Sequence, residues 1–224
     1  MKTRLQAIVA GFITFVVFGA LLFLPAWTFN YWQAWVFIAV LAVSSSIPVI
    51  HLMLKNPAVL QRRMHAGPTA ETRTTQKFLS SVTLLSVPVV MVLSAFDHRF
   101  GWSPVPVAVS VIGDALVAIG VGITMLVIIQ NNYAAATITV EAGQKLTTTG
   151  LYGLVRHPMY VGILIMMAGI PLALDSWWGL VILIPDAIAL ALRILDEEKM
   201  LKQELAGYSE YTQKVHYRLM PYVW

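Results

Sequence analysis

The chain alternates between long apolar stretches and short polar ones. The apolar runs are Leu5–Leu24, Trp32–Leu54, Phe78–Phe96, Val105–Ile129, Pro158–Leu174 and Trp177–Leu195. A helix needs ~20 apolar residues to cross the hydrocarbon core of a bilayer, and the fifth run is the shortest of the six. Asp175 and Ser176 form a tight turn before the sixth run. The pattern predicts an all-α integral membrane protein with about six membrane helices, the last two paired as a helical hairpin.

The composition supports the membrane assignment and excludes several kinds of functional site. Of the 224 residues, 58% are hydrophobic and 12% are charged, with a mean hydropathy of +0.74. A soluble chain of this size needs far more polar residues to cover its surface. There is no cysteine, which excludes disulfides, thiolate nucleophiles and cysteine-based zinc or iron–sulfur sites. No zinc-ligand spacing is present either, so we expect no metal.

The positions of the basic residues predict the orientation in the membrane. Except for Arg99, every Lys and Arg lies in segments 1–4, 55–77, 130–157 and 196–224, or at Arg193 beside the last of them. Cytoplasmic loops are enriched in basic residues, so we expect both termini in the cytoplasm of a multi-pass protein, in a membrane of the bacterial inner-membrane type. The net charge of +4 is spread over short loops, which argues against nucleic-acid binding. We interpret the basic loop 55–77 as a topology signal that contacts lipid headgroups, rather than as a binding site.

The chain shows no internal repeat, so we expect one membrane domain over residues 1–224. Four membrane helices occupy 1–129, and the polar and ionisable residues gather in 130–224. Gly113, Gly120 and Gly122 suit close helix packing, and they lack the preceding strand of a dinucleotide-binding (Rossmann) fingerprint. Beyond the last membrane helix, apolar residues recur with helical spacing at Met200, Leu201, Leu205 and Tyr208. That spacing predicts an amphipathic cytoplasmic helix extending from it.

Ionisable residues within or beside the membrane helices need partners, because charge is costly there. Arg193 and Glu197 are four residues apart and share a helix face, and Asp186 lies about two turns earlier on nearly the same face. The alternative to a functional site is a ladder of these three residues that neutralises itself. Asp114 is isolated, and we interpret it as a buried helix-packing hydrogen bond rather than a catalytic acid.

The stretch "GLYGLVRHPMYVG", residues 150–162, places an arginine and a histidine at the start of a predicted membrane helix. Pro158 suits the first turn of a helix, so Arg156 and His157 stand at the helix start, where free N–H groups favour an anion. Tyr152 and Tyr160 crowd the same place beside a polar loop. The structural alternative makes Arg156 a membrane anchor and His157 an interfacial cap, which leaves the crowding of the two tyrosines unexplained.

Three segments together resemble a known family: "TTTGLYGLVRHPMYVG", then "RILDEE", then "GYSEYTQKVHYRLMPYVW". Over residues 130–224 the chain is similar to the isoprenylcysteine carboxyl methyltransferases and, more broadly, to small integral-membrane methyltransferases. The resemblance implies a helical membrane enzyme that uses S-adenosylmethionine without a Rossmann domain. It implies cofactor contacts at Glu141, Gln144, Lys145, Leu146, Thr147, Tyr152, His157, Pro158, Met159, Tyr160 and Glu197. It also implies that Arg193 orients the acceptor, with Arg156, Asp186 and Glu198 in supporting positions.

The expected activity is carboxyl O-methylation of an isoprenylcysteine-like or other lipophilic acceptor drawn from the bilayer. A carboxylate is already ionised near neutral pH, so its methylation needs no strong base. Phospholipid N-methylation and small-thiol S-methylation remain alternatives, and an amine acceptor would need a base such as His157 or Asp186. A second enzyme class is an NADPH-dependent sterol or polyprenyl reductase, which shares an Arg-His-Pro pattern. A membrane scaffold or transporter subunit is the non-enzymatic alternative, although a transport path would place polar residues near the membrane midplane.

Overall fold

The computed structural model describes residues 2–64, 67–134 and 143–224, and among them it contains helices and no strand. The α-helices are α1 (Lys2–Ala26), α2 (Trp32–Lys55), α3 (Pro57–Met64), α4 (Thr74–Phe100), α5 (Val107–Gln130), α6 (Pro158–Ala173), α7 (Leu183–Glu204) and α8 (Tyr208–Lys214). Turns of 3₁₀-helix cover Pro68–Ala70, Gly150–Gly153 and Trp178–Ile182. The prediction of an all-α membrane fold is confirmed.

Five helices are long and apolar enough to cross a bilayer: α1, α2, α4, α5, and α7 together with the 3₁₀ turn before it. The sixth predicted run forms α6, which has 16 residues. At 1.5 Å per residue this helix is ~24 Å long, shorter than the ~30 Å hydrocarbon core. The tight turn after it is present, with Asp175 at a φ of 59°. Helix α6 packs mainly on α5 and more lightly on α7 and the 3₁₀ turn before it, so its main partner in the bundle precedes it in the chain.

Glycines allow α5 and α6 to pack in close contact. A Cβ on Gly120 would lie 2.5 Å from the carbonyl oxygen of Gly162, and a Cβ on Gly169 would lie 2.7 Å from that of Gly113. Small residues at such crossings let helix backbones approach in the membrane, where lipid is as apolar as the side chains. The packing role predicted for Gly113 and Gly120 is therefore confirmed. It is wrong for Gly122, where an added Cβ meets no atom within 4 Å.

The segments predicted to face the cytoplasm come together at one end of the bundle, and the segments predicted to face outward meet at the other. At the cytoplasmic end Arg73 pairs with Asp196, and Arg63 donates to the carbonyl of Ala134. At the outer end, hydroxyls of Ser103 and Ser176 donate to the buried carboxylate of Asp97 at 2.5 and 2.6 Å. The grouping agrees with the predicted topology, and which end faces the cytoplasm stays a prediction.

The outer end also holds the main apolar core in place. Tyr31, fully buried, donates its hydroxyl to the carbonyl of Leu174 at 2.5 Å and stacks on His98. His98 in turn contacts the carboxylate of Asp175 at 3.3 Å, which joins α4 to the turn after α6. Around these contacts pack the largest fully buried apolar side chains of the bundle, Leu22, Phe37, Met91, Met167 and Leu174. The tryptophans predicted for the outer interface, Trp27, Trp32, Trp102, Trp177 and Trp178, are all exposed.

The predicted helical extension beyond the last membrane run is present, but it breaks before α8. Helix α7 ends at Glu204, and Gly207 takes a φ of 82°, a left-handed conformation that other residues rarely adopt. The chain turns there and α8 begins. Leu205, Tyr208 and Tyr211 then form a small buried cluster that includes Leu146 from the polar loop. The break therefore folds α8 toward the loop 143–150.

We expect Gly169→Ala to destabilise the protein by ~1–3 kcal/mol, because the added methyl group overpacks the contact between α5 and α6. The measurement is the free energy of unfolding in detergent. Gly122→Ala is the matched control, since its methyl group meets open space. Equal stability of the two variants would contradict the close-packing role.

Candidate functional site

A buried carboxylate organises the end of the bundle predicted to face the cytoplasm. Glu198 on α7 accepts from Arg156 Nε at 2.6 Å and from Arg218 Nε at 3.0 Å. The Nε2 atom of His157 lies 3.3 Å from the same carboxylate. Arg156, His157 and Glu198 are all buried. Burying a charge is favourable only with close partners, and this cluster supplies a partner from each of two other segments.

The start of α6 is tied to the segment 215–224. Arg156 Nη1 donates to the carbonyls of Val215 and His216, at 2.9 and 3.0 Å. The backbone N–H groups of Arg156 and His157 donate to the carbonyls of Tyr217 and Arg218. The helix start was predicted to offer its N–H groups to an anion. The N–H of His157 is not available for that role, because a chain carbonyl already accepts from it.

Tyr160 links the two functional residues predicted on α7. Its hydroxyl donates to Glu197 Oε2 at 2.7 Å and accepts from Arg193 Nε at 3.1 Å. The ring of His157 stacks on that of Tyr160, with centroids 5.7 Å apart. The predicted shared face of Arg193 and Glu197 is confirmed, but the two side chains are joined through this hydroxyl rather than directly.

Arg193 has two further partners that the sequence did not indicate. Its Nη2 donates to Glu71 Oε1 at 2.6 Å, and its Nη1 donates to Gln76 Oε1 at 2.8 Å. Both partners are buried and come from the start of α4 and the loop before it. The amide of Gln76 also donates to Asp196, which pairs with Arg73. The loop interpreted as a topology signal therefore contributes side chains to the site.

A polar cavity opens beside this cluster, with a volume of about 780 Å³ counting its open mouth. Its lining includes ten of the eleven residues predicted to contact the cofactor: Gln144, Lys145, Leu146, Thr147, Tyr152, His157, Pro158, Met159, Tyr160 and Glu197. The eleventh, Glu141, lies outside the described residues. Arg156 lines the cavity as well.

Other residues that line the cavity were not among the predicted contacts. These are Asn131, Tyr133, Ala134, Met200, Leu201, Leu205, Tyr208 and Tyr211. Tyr208 stands out because its buried hydroxyl has no hydrogen-bond partner within the described ranges. Burial is the main reason that its pKa is raised above its ordinary value, so the hydroxyl stays protonated near neutral pH. Burial likewise raises the pKa of Tyr152 to about 12. From the sequence, Tyr208 in the segment "GYSEY" was used only as an apolar position of a helix. The hydroxyl group on that position was the signal for a place in the cavity.

A second, apolar cavity of about 1600 Å³, again counting its open mouth, lies among α2, α4, α5, α6 and α7. Its lining is mostly apolar but includes Arg63, Arg193 and several Ser and Thr side chains. Among the described residues, Met159 and Tyr160 line both cavities. The first turn of α6 is therefore the partition between a polar chamber and an apolar one.

Two acidic residues considered from the sequence lie apart from both cavities. Asp186 is fully buried, with Thr83 and Ser86 of α4 as polar neighbours, and no described group completes a hydrogen bond to its carboxylate oxygens. The alternative of a self-neutralising ladder is not formed, because Arg193 pairs with Glu71 and not with Asp186. Asp114 is buried in α5, and the predicted helix-packing hydrogen bond is missing at its Oδ1 within the described residues. No group of His, Asp and Glu residues in the described ranges has metal-site geometry.

Comparison with known proteins gives the class of protein. Residues 109–206 match the model of the phospholipid methyltransferase family, a match that spans α5, the polar loop, α6 and α7. The match covers less than half of the chain. Together with the membrane helices it supports a membrane methyltransferase, without singling out the isoprenylcysteine carboxyl methyltransferases.

A relative of a different class is also similar to the chain. A Delta(14)-sterol reductase from Mus musculus is 36% identical over 95 residues, which is 39% of this chain and 22% of the reductase. The aligned part thus spans about a fifth of the length of that relative.

We expect Arg156→Ala to lower the free energy of unfolding by about 3 kcal/mol, because it leaves a buried carboxylate with fewer partners. Arg73→Ala removes an exposed ion pair in the same region, with the arginine side chain 43% exposed, and is the matched control. Its cost should stay below ~1 kcal/mol. Chemical denaturation in detergent measures both, and equal losses would contradict the structural role of Arg156.

Proposed function

We propose that the chain is an S-adenosylmethionine-dependent methyltransferase that acts on a lipophilic acceptor in the membrane. The observation that carries this proposal is the pair of cavities, one mostly polar and one mostly apolar, that meet at Met159 and Tyr160 within the described residues. A polar methyl donor and an apolar acceptor need separate chambers that meet at one point. The match of residues 109–206 to the phospholipid methyltransferases supports the same reaction class.

The residues of the polar cavity fit the methyl donor chemically. S-adenosylmethionine carries a sulfonium, an ammonium and a carboxylate, together with ribose hydroxyls and an adenine ring. Glu197 provides an acceptor for the ammonium or the ribose hydroxyls, and Lys145 provides a cation for the carboxylate. Leu201 and Leu205 provide an apolar wall for the adenine ring. The unpartnered hydroxyl of Tyr208 indicates that a polar ligand atom belongs beside it.

When bound, the cofactor supplies an electrophilic methyl group. The acceptor's nucleophilic atom would take up this methyl group in exchange for its bond to sulfur. The protein's part is to align the two reactants and to exclude water. Tyr160 holds Glu197 on the donor side and Arg193 on the acceptor side, so one hydroxyl positions groups in both chambers.

The acceptor is the finer part of the proposal. An isoprenylcysteine-like acceptor with an apolar tail and a carboxylate suits the apolar cavity, with Arg193 as the orienting cation. A phospholipid amine suits the same cavity and the family match. The amine would have to release a proton before it attacks, whereas a carboxylate would not. A small-thiol acceptor makes less use of a cavity this apolar.

A reductase that uses a nicotinamide cofactor is the second candidate, and the similarity to the mouse sterol reductase favours it. The two functions differ in the ligand of the polar cavity. Spectral titration with NADPH and calorimetry with S-adenosylhomocysteine separate them. If only NADPH binds, the reductase becomes the proposed function instead of the methyltransferase. If neither ligand binds, the result favours the non-enzymatic membrane scaffold.

We expect Tyr208→Phe to weaken S-adenosylmethionine binding by about 2- to 10-fold, as the loss of one hydrogen bond would. Isothermal calorimetry in detergent measures the dissociation constant. Tyr222→Phe is the matched control, because that side chain is 90% exposed and should bind as the parent does. Glu197→Gln and His157→Ala should weaken binding further. Parent-like affinity in all three cavity variants would rule out this cavity as the cofactor site.

A further inference from the structure

An exposed apolar turn, residues 220–223, belongs to the segment 215–224 that holds the start of α6. We propose that this apolar turn inserts into the interface of the lipid bilayer and thereby fixes the start of α6. The partner is the lipid surface itself, and the contact lies outside the membrane-spanning helices. The consequence for cofactor binding rests on the proposed function, whereas the insertion does not.

The first support is the exposed surface of the apolar turn. Met220, Tyr222 and Val223 are 59, 90 and 73% exposed, and Pro221 between them is exposed as well. None of these four residues carries a charge. Contiguous apolar surface that is left open to water marks a contact with a protein or a membrane. A tyrosine beside aliphatic side chains suits the membrane interface, where its ring is buried and its hydroxyl stays hydrated.

The second support is the depth at which the segment is held. Helix α6 is ~24 Å long, and its far end leads to Trp177 and Trp178, which are exposed and predicted to lie at the opposite interface. The hydrocarbon core is ~30 Å thick, so the start of α6 lies at its boundary or inside it. There the N–H groups of Arg156 and His157 donate to carbonyls of the segment 215–224, at 2.9 and 3.0 Å. The segment is therefore at the membrane surface rather than in bulk water.

The third support is the distance to the lipid-facing surface of α7. The last exposed apolar residue on this helix is Leu195, which is 47% exposed. Glu198 follows ~4.5 Å further along the helix axis and accepts from Arg218 Nε at 3.0 Å. The segment 215–224 is thus attached to α7 about one helical turn beyond its last lipid-facing side chain. Interfacial elements reach ~5–10 Å into the boundary between headgroups and acyl chains, so the apolar turn is within reach of the lipid.

Close contacts join the apolar turn to this attachment point. The Trp224 carbonyl accepts from the N–H groups of residues 218–220, at 2.8, 3.1 and 3.4 Å. The guanidinium of Arg218 lies over the Trp224 ring, with Cζ 5.1 Å from the ring centroid, and it also donates to Glu198. A displacement of the apolar turn therefore acts on Glu198 and on the start of α6.

The backbone of Tyr222 gives the lipid contact an energetic role. Its φ of 65° lies in the left-handed region, which residues other than glycine rarely adopt because it costs free energy. Burial of the Tyr222 and Val223 side chains in lipid offsets that cost. In the bilayer the apolar turn keeps this conformation, so Arg156 and His157, which line the polar cavity, keep their backbone partners.

The first experiment tests the insertion. The chain has no cysteine, so Val223→Cys gives a single site for a fluorescent label. The protein is placed in nanodiscs of phosphatidylcholine and phosphatidylglycerol, and the label is quenched either by iodide in the water or by a nitroxide on the acyl chains. The nitroxide should quench the label at position 223 more strongly than iodide does. Glu210→Cys, at an exposed position of α8, is the matched control and should show the reverse.

Two results would overturn the proposal. One is a label at position 223 that iodide reaches as readily as it reaches the label at position 210. The other is a label at position 223 that neither quencher reaches, because a contact with protein would then cover the apolar turn.

The second experiment tests the coupling to α6 in the same nanodiscs. The double variant Tyr222→Ser with Val223→Asn removes the apolar side chains, and Tyr222→Phe with Val223→Leu is the matched control that keeps them. Hydrogen exchange at the amides of Arg156 and His157, followed by mass spectrometry, should be about 10-fold faster in the first variant and parent-like in the second. Equal exchange in all three proteins would contradict the proposal.

The third measurement is S-adenosylhomocysteine binding by calorimetry in the nanodiscs. The variant without the apolar side chains should bind about 3- to 10-fold more weakly than the parent, because a smaller fraction of the protein has the start of α6 in place. Parent-like affinity in that variant would refute the consequence for the cofactor site. A parent that binds no S-adenosylhomocysteine would remove the proposed function, and the quenching and exchange results would still decide the insertion.

Discussion

The buried carboxylate of Glu198 is the constraint on which the end of the bundle around the start of α6 depends. In an apolar bundle this charge needs partners, and Arg156 and Arg218 provide them from segments 42 and 20 residues away in the chain. Satisfying it draws the start of α6 and the segment 215–224 onto α7. The polar cavity lies between the start of α6, α7, α8 and the loop 143–150. The ion cluster ties two of these walls, the start of α6 and α7, to each other.

Close packing of α5 on α6 sets the position of the partition between the chambers. The glycine contacts fix α6 against α5, and the outer-end hydrogen bonds of Asp97 and Tyr31 fix the far ends of the helices. Because α6 is short and begins at Pro158, its first turn lies at the end of the bundle that holds Glu198. Tyr160 is consequently held where a polar and an apolar cavity meet. The packing of the bundle thus leads to the geometry that methyl transfer would need.

Much of the fold and part of the site could be predicted from the sequence. The lengths of the hydrophobic runs predicted the membrane helices, because insertion into a bilayer depends on the length of an apolar segment. The stretch "RHPMY" predicted the first turn of α6. Long-range pairing could not be predicted. Glu71 lies 122 residues from Arg193 in a loop without periodicity, so no local pattern connects them. The break after α7 was hidden because the apolar spacing continues across Gly207.

The central claim is that a polar methyl donor and an apolar acceptor meet at Tyr160. Its most direct test is an experimental structure of the protein with S-adenosylhomocysteine and a long-chain alkyl amine bound together. The account predicts the nucleoside in the polar cavity with a hydrogen bond to Tyr208, its sulfur facing Tyr160, and the alkyl chain among α2, α4 and α5. A nucleoside bound elsewhere, or an alkyl chain outside the apolar cavity, would contradict it.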